Sequence, residues 1–128
     1  MRILGIDYGE KRIGLAVSDE LGMLARELKI VSPASFFAEI DELLKSLEVG
    51  TIILGWPLNM SGEKTKKTLE VESFKKRLEA IVSIPVILID ERLSSQMAGN
   101  LPGGHKDVDS LAAQIILQNY LNLQKSSE

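Results

Sequence analysis

The sequence predicts an α/β fold in which a three-stranded antiparallel meander is extended by two parallel strands, with helices on both faces. Two observations lead there. Strand-like apolar runs fill the first thirty residues and are broken only by "YGEK" and "DELG", two turns rich in glycine and polar residues. Further on, "TIILG" is a short, wholly apolar run and "IPVILID" an apolar run closed by Asp90, each preceded by a segment of helical periodicity, as expected of strands buried on both faces and reached by crossovers.

Residues 2 to 7, 12 to 18 and 22 to 30 read as the meander. Pro33, directly after Ser32, suits the first turn of a helix, and Phe36, Phe37, Ile40, Leu43, Leu44 and Leu47 recur at helical spacing until Gly50. "TIILG" is then the fourth strand, and the loop "WPLNMSGEK" leaves its end. Leu69, Val71, Phe74, Leu78 and Ile81 mark a second helix, with Lys66, Lys67, Lys75, Lys76 and Arg77 on its outer face. The fifth strand closes on Asp90 and Glu91. In the final helix Leu111, Ala112, Ile115, Ile116, Tyr120 and Leu121 make the widest apolar face of the chain.

A length of 128 residues suits one domain, 1–128, with a core of its own. The chain has no cysteine, which removes disulfides and thiolate metal sites and leaves oxygen ligands as the plausible metal chemistry. Its 15 basic and 18 acidic residues argue against a protein that coats nucleic acid with positive field, while allowing a local basic patch. With no apolar stretch of spanning length and no charged-then-apolar leader, a soluble cytoplasmic protein without a membrane partner is expected. Low charge and few aromatics leave room for a homodimer without requiring one.

In an open sheet with parallel strands, ligands bind beyond the strands' carboxyl ends. The first strand ends at Asp7, the fourth at Gly55 to Pro57, the fifth at Asp90 and Glu91, and the last helix begins at Asp109. Each acid also has a purely structural reading: Asp7 as a turn former with Gly9, Asp90 and Glu91 as partners of Arg92, Asp109 as a helix-start acid. Together at one edge they make an oxygen-lined site suited to Mg²⁺ or Mn²⁺, and such ions suit phosphodiester hydrolysis. Asp90 and Glu91 face opposite ways on a regular strand, so only one should line the site. Periodicity leaves both open, and the longer reach of Glu91 favours it over Asp90, which could instead hold the loop.

Lys11 and Arg12, then Lys64, Lys66 and Lys67, then Arg92 and Lys106 collect where phosphates would lie. Lys11, Arg12, Asn59, Lys64, Arg92 and Lys106 are the expected substrate-binding set. Against that, the lysines of the second helix also read as the solvated face of an amphipathic helix, and Asn59 equally as a turn former. Trp56 could stack on a base or simply pack, and His105, the sole histidine, could shuttle protons or be solvated.

The blocks "GIDYGEKRIGLAVSD", "ILGWPLNMSG", "DERLSS" and "DVDSLAAQIILQNYL" resemble, in that order, the four blocks of the YqgF/RuvX family over nearly the whole chain. The resemblance implies a ribonuclease H-like fold related to the Holliday-junction resolvases. It also implies a nuclease that processes the 5′ end of the 16S ribosomal RNA precursor, or a Holliday-junction resolvase acting on branched DNA. The family's acids fall on Asp7, Glu91 and Asp109, so Mg²⁺ or Mn²⁺ is the implied cofactor and nucleic acid or ribosomal particles the implied partners. One departure stands out. Between "DERLSS" and the final helix the family usually carries a longer helix and a basic loop, and this chain has only "QMAGNLPGGHK". That loss motivates a second reading, a non-catalytic RNA- or ribosome-associated module of the same fold. "GIDYG" also resembles the phosphate-binding turn of actin- and sugar-kinase-type ATPases, which clamp nucleotide between two such lobes where this chain contains one.

Overall fold

Side-chain alternation along the first strand, β1 (Arg2–Tyr8), sets the layering of the molecule. Leu4 and Ile6 face one side of the sheet and join the larger core, while Ile3 faces the other and packs on the smaller one. The computed structural model describes residues 1–92 and 108–126, with side chains at 108–110, 125 and 126 outside the description. Around β1 lie β2 (Ile13–Ser18), β3 (Ala25–Val31), α1 (Pro33–Ser46), β4 (Val49–Trp56), α2 (Lys66–Glu79), β5 (Val86–Asp90) and α3 (Val108–Ser126).

The sheet order is β3-β2-β1-β4-β5. β1, β2 and β3 pair antiparallel, and β4 and β5 run parallel to β1, so the expected meander with its two-strand extension is present. The larger core joins Leu4, Ile6, Ile52 and Leu54 of the sheet to Phe36 and Ile40 of α1 and Val71, Phe74 and Leu78 of α2. The smaller core joins Ala16 and Ile53 to Ala113, Ile116, Leu117 and Leu121 of α3. Helices therefore cover both faces. α3 lies so close to β1 that a Cβ on Gly5 would stand 2.8 Å from Leu117 Cβ, which makes glycine a packing requirement there.

Several boundaries differ from expectation for local reasons. Residues 22–24 belong to a turn rather than to β3: Asp19 Oδ1 accepts from the Met23 N–H at 2.8 Å, and Gly22 sits at φ 69°. β2 begins at Ile13, leaving Arg12 in the preceding turn. α1 stops at Ser46, short of Gly50, because Glu48 adopts φ 53° and turns the chain directly into β4. Gly50 consequently lies inside β4. On α2 the buried stripe is Thr68, Val71, Phe74 and Leu78, whereas Leu69 is 55% exposed and Ile81 lies beyond the helix. On α3 Ala113 and Leu117 are buried against the sheet and Leu111 and Ala112 only half-buried, so the sheet-facing stripe is rotated from the one expected.

Candidate carboxylate site

Asp7 occupies the end of β1 opposite Gly14 of β2, on the face shared with Ile3 and Gly5 that α3 covers. On β5 the same alternation runs Leu88 toward the larger core and Ile89 toward the smaller one. Asp90 thus falls on the α1–α2 side, and Glu91 on the side of Asp7. Two strand spacings, about 10 Å, separate β5 from β1, with β4 between them.

Glu91 bridges that gap across Gly55. A Cβ placed on Gly55 would stand 2.7 Å from Glu91 Oε1 and 2.7 Å from the Ile116 Cδ1 of α3. The missing side chain is therefore the space the carboxyl uses, and Ile116 roofs it. Burial, the charge of Asp7 and a hydrogen bond between the two carboxyls push Glu91 up to about 8, and Asp90 adds to the rise. Among the described residues the Lys67 charge pulls it down. Two carboxyl groups joined by a hydrogen bond must share a proton, and replacing that proton with a cation is what such a pair favours.

Asp90 is committed elsewhere. Arg92 donates to it from Nε at 2.9 Å, from Nη2 at 2.6 Å and from its backbone N–H at 2.9 Å, and this contact holds the Asp90 carboxyl below its ordinary value. The guanidinium also lies against Gly62, whose φ is 83°, with Nη1 3.2 Å from where a Cβ would be. Arg92 therefore ties the end of β5 to the turn beyond β4. In that turn Asn59 Oδ1 accepts from the backbone N–H groups of Ser61 and Glu63 at 3.0 and 2.8 Å, so its side-chain oxygen serves the turn.

The remaining expected substrate contacts sort in the same way. Lys64 donates to Glu72 Oε2 at 2.9 Å, and the Trp56 indole N–H donates to the same oxygen at 3.0 Å. Lys64 thereby holds Glu72 below the usual carboxylate range, with Trp56 lending a smaller share. The Trp56 ring packs on the larger core, which favours packing over base stacking. Lys11 and Arg12 are exposed in the β1–β2 turn. Asp109 belongs to the first turn of α3, one turn before Ala113, and its side chain is outside the described residues. Lys106 and His105 also lie outside the described residues.

The all-oxygen character of Asp7 and Glu91 fits a hard divalent cation. Among the described residues no group of three or more acidic or histidine side chains comes together, so this pair is the described part of any such site. The sequence reading found both acids but missed Gly55. Its signal was present: a glycine closing a run of β-branched residues marks a place where something approaches the backbone closely.

The family model described as "RuvX: Holliday junction resolvase" matches residues 1–123. The chain belongs to the RuvX family. Its relatives include a protein of Syntrophus aciditrophicus, 41% identical over 95% of this chain and 89% of its own length, and one of Thermoanaerobacter pseudethanolicus, 39% identical over 98% and 99%. Both carry the name "putative pre-16S rRNA nuclease". The two alignments run over 133 and 138 positions, more than the 128 residues of this RuvX-family chain, so both relatives contain residues it lacks. Among solved structures, T. thermophilus RuvC in complex with a Holliday junction substrate superposes with a TM-score of 0.63 at 17% identity, covering 99% of this chain and 97% of that one. The yeast mitochondrial Holliday junction resolvase Ydc2 gives 0.56 at 12% identity over 96% and 78%. At those identities the likeness speaks for the fold, which is ribonuclease H-like. No described helix is long and apolar enough to cross a membrane.

Proposed function

We propose that this RuvX-family chain is a nuclease that hydrolyses a phosphodiester bond with the help of Mg²⁺ or Mn²⁺. The observation that carries the proposal is the meeting of Asp7 and Glu91 over Gly55, two carboxyls from separate strands that share a proton when no cation is bound. Those two residues, with Asp109 from the start of α3, would hold the ion. When bound, such an ion supplies Lewis acidity for activating water and for stabilising charge on the phosphate and the departing oxygen. The protein's own part is to fix the carboxyls. Gly55 leaves room for Glu91, Ile116 packs over the same space, and the Asp90–Arg92 pair holds the end of β5 in place.

The 5′ end of precursor 16S rRNA, alone or within ribosomal precursor particles, is the substrate this reading favours, because the curated relatives at about 40% identity carry that name. Branched DNA is the second substrate, supported by the family's description. Cleavage of a 5′-extended precursor rRNA fragment and of a four-way DNA junction, each with Mg²⁺ or Mn²⁺, tests both. Wild type should cut the RNA, and Asp7→Asn and Glu91→Gln should not. A correctly folded Asp7→Asn protein that cuts as well as wild type would sink the mechanism.

A further inference from the structure

The sequence gives Lys67 two readings, a cation where phosphates would lie and part of the solvated face of α2, and its place on the helix favours the first. Lys67 stands one turn before Val71 on the stripe that continues through Phe74 and Leu78, and those three are buried against the sheet. It therefore prolongs the core-facing stripe past the core, to the level where β1, β4 and β5 end. Lys66 lies off that stripe, and Lys75, one turn after Val71, is engaged with Glu79 at 3.0 Å.

The first turn of α2 is held in register with the end of β4. The Thr68 hydroxyl donates to the Pro57 carbonyl and accepts from the Thr65 N–H, and Thr65 caps the helix. Immediately upstream, Gly55 and Trp56 pair with Ile89 and Asp90, so the start of α2 is registered against the strand end that carries Glu91. The carboxyls lie on the α3 side of the sheet, and the first turn of α2, with Lys67, lies beyond the end of β4 on the other side. The field of the ammonium reaches Glu91. Two other cations near this edge have local partners: Glu72 for Lys64 and Asp90 for Arg92.

We propose that Lys67 is a substrate-positioning residue that binds a nucleic-acid phosphate directly beside the Asp7–Glu91 pair. The inference rests on the nuclease reading for its meaning, but its test does not. An ammonium on a flexible stem is a point-charge ligand suited to a phosphate, and it carries no base information. In the free protein its charge acts on Glu91. With substrate present it has a phosphate to bind, and the charge it brings offsets the concentration of negative charge that two acids and a phosphate would otherwise create.

The test is binding of a fluorescein-labelled 5′-extended precursor rRNA fragment followed by anisotropy across a salt series, without divalent cation so that no turnover occurs. The variants are Lys67→Ala, Lys67→Arg and Lys66→Ala, and Mn²⁺ affinity is measured in parallel by calorimetry. Lys67→Ala should weaken RNA binding about tenfold or more and flatten the log–log salt slope by about 1, with Lys67→Arg restoring most of both. Lys66→Ala should behave as wild type. Mn²⁺ should bind Lys67→Ala as tightly as wild type or tighter, because a competing positive charge has gone; a protein with a disrupted site would bind it more weakly. Equal losses in Lys66→Ala and Lys67→Ala, or no loss in Lys67→Ala, overturn the proposal. Failure of the nuclease reading appears separately, as absent cleavage by wild type in Mg²⁺ or Mn²⁺.

Discussion

Glu91 reaches Asp7 only because position 55 has no side chain: a Cβ there would stand 2.7 Å from Glu91 Oε1 and 2.9 Å from its Cδ. One residue on a middle strand thus governs whether carboxyls from two non-adjacent strands can meet.

Gly55→Ala should therefore uncouple the pair. The added methyl also meets Ile116 Cδ1 at 2.7 Å, so the variant has to move either the acid or α3. Overpacking of this kind costs about 1–3 kcal/mol. Thermal unfolding should show a loss of that size, and Mn²⁺ calorimetry a larger relative loss of affinity. Unchanged Mn²⁺ binding in a folded Gly55→Ala protein would remove the bridging geometry from the argument.

The pH dependence follows from the same pair. Glu91 rises from 4.5 in the unfolded chain to about 8 in the folded, metal-free protein. Between those values the folded state holds a proton that the unfolded state has released. Metal-free stability should accordingly fall as pH rises from about 4.5 to 8, and level off above. Cation binding runs the other way. The proton must leave first, so Mn²⁺ affinity should climb by up to about tenfold per pH unit below 8 and flatten above it. Chemical denaturation and calorimetry over pH 5 to 9 measure the two trends, and Glu91→Gln should abolish the Glu91 share of both.

Thr68 is fully buried and donates to the Pro57 carbonyl, which anchors α2 to the loop after β4. Thr68→Val keeps the shape and leaves that carbonyl without its donor. A loss of about 1–3 kcal/mol is expected, read as a lower denaturation midpoint. A stability equal to wild type would show that the contact is dispensable.

Much of the architecture was readable from periodicity, because strands buried on both faces leave few choices: "TIILG" and "IPVILID" became β4 and β5, and the meander lies where its turns predict it. The end of α1 was misread because glycine is the usual residue for a left-handed turn, whereas Glu48 adopts that conformation here and its carbonyl accepts from the Arg2 N–H at 3.1 Å. Asp7 and Glu91 could be named from sequence, Asp7 as an acid at a strand end and Glu91 on its reach and the family resemblance, with periodicity leaving Asp90 open. Their contact was not readable, since it depends on the register of three strands and on a side chain that is absent. The engagement of the cations was hidden for a related reason. Sequence shows that Lys64 and Arg92 lie near the edge, but not that Glu72 and Asp90 hold them. Lys67 was named from sequence with Lys64 and Lys66 as a cation where phosphates would lie, but periodicity alone did not distinguish it from the solvated face of α2.

Asp90 and Glu91 are neighbours with opposite assignments, and substitution separates them. Asp90 binds Arg92 on a pair about one-third exposed, so Asp90→Asn should cost at most about 1 kcal/mol. It leaves the Asp7–Glu91 meeting intact and loosens the contact between Arg92 and the Gly62 turn. Mn²⁺ affinity should stay within about threefold of wild type, a difference of under ~1 kcal/mol, while cleavage slows modestly. Glu91→Gln should do the reverse: below about pH 8 the amide can donate to Asp7 in place of the protonated carboxyl, so the metal-free fold keeps its stability, while a neutral side chain that cannot become a carboxylate eliminates cation binding. Weaker Mn²⁺ binding in Asp90→Asn than in Glu91→Gln would exchange the two roles, and the strand alternation that distinguishes them would have to break at the end of β5.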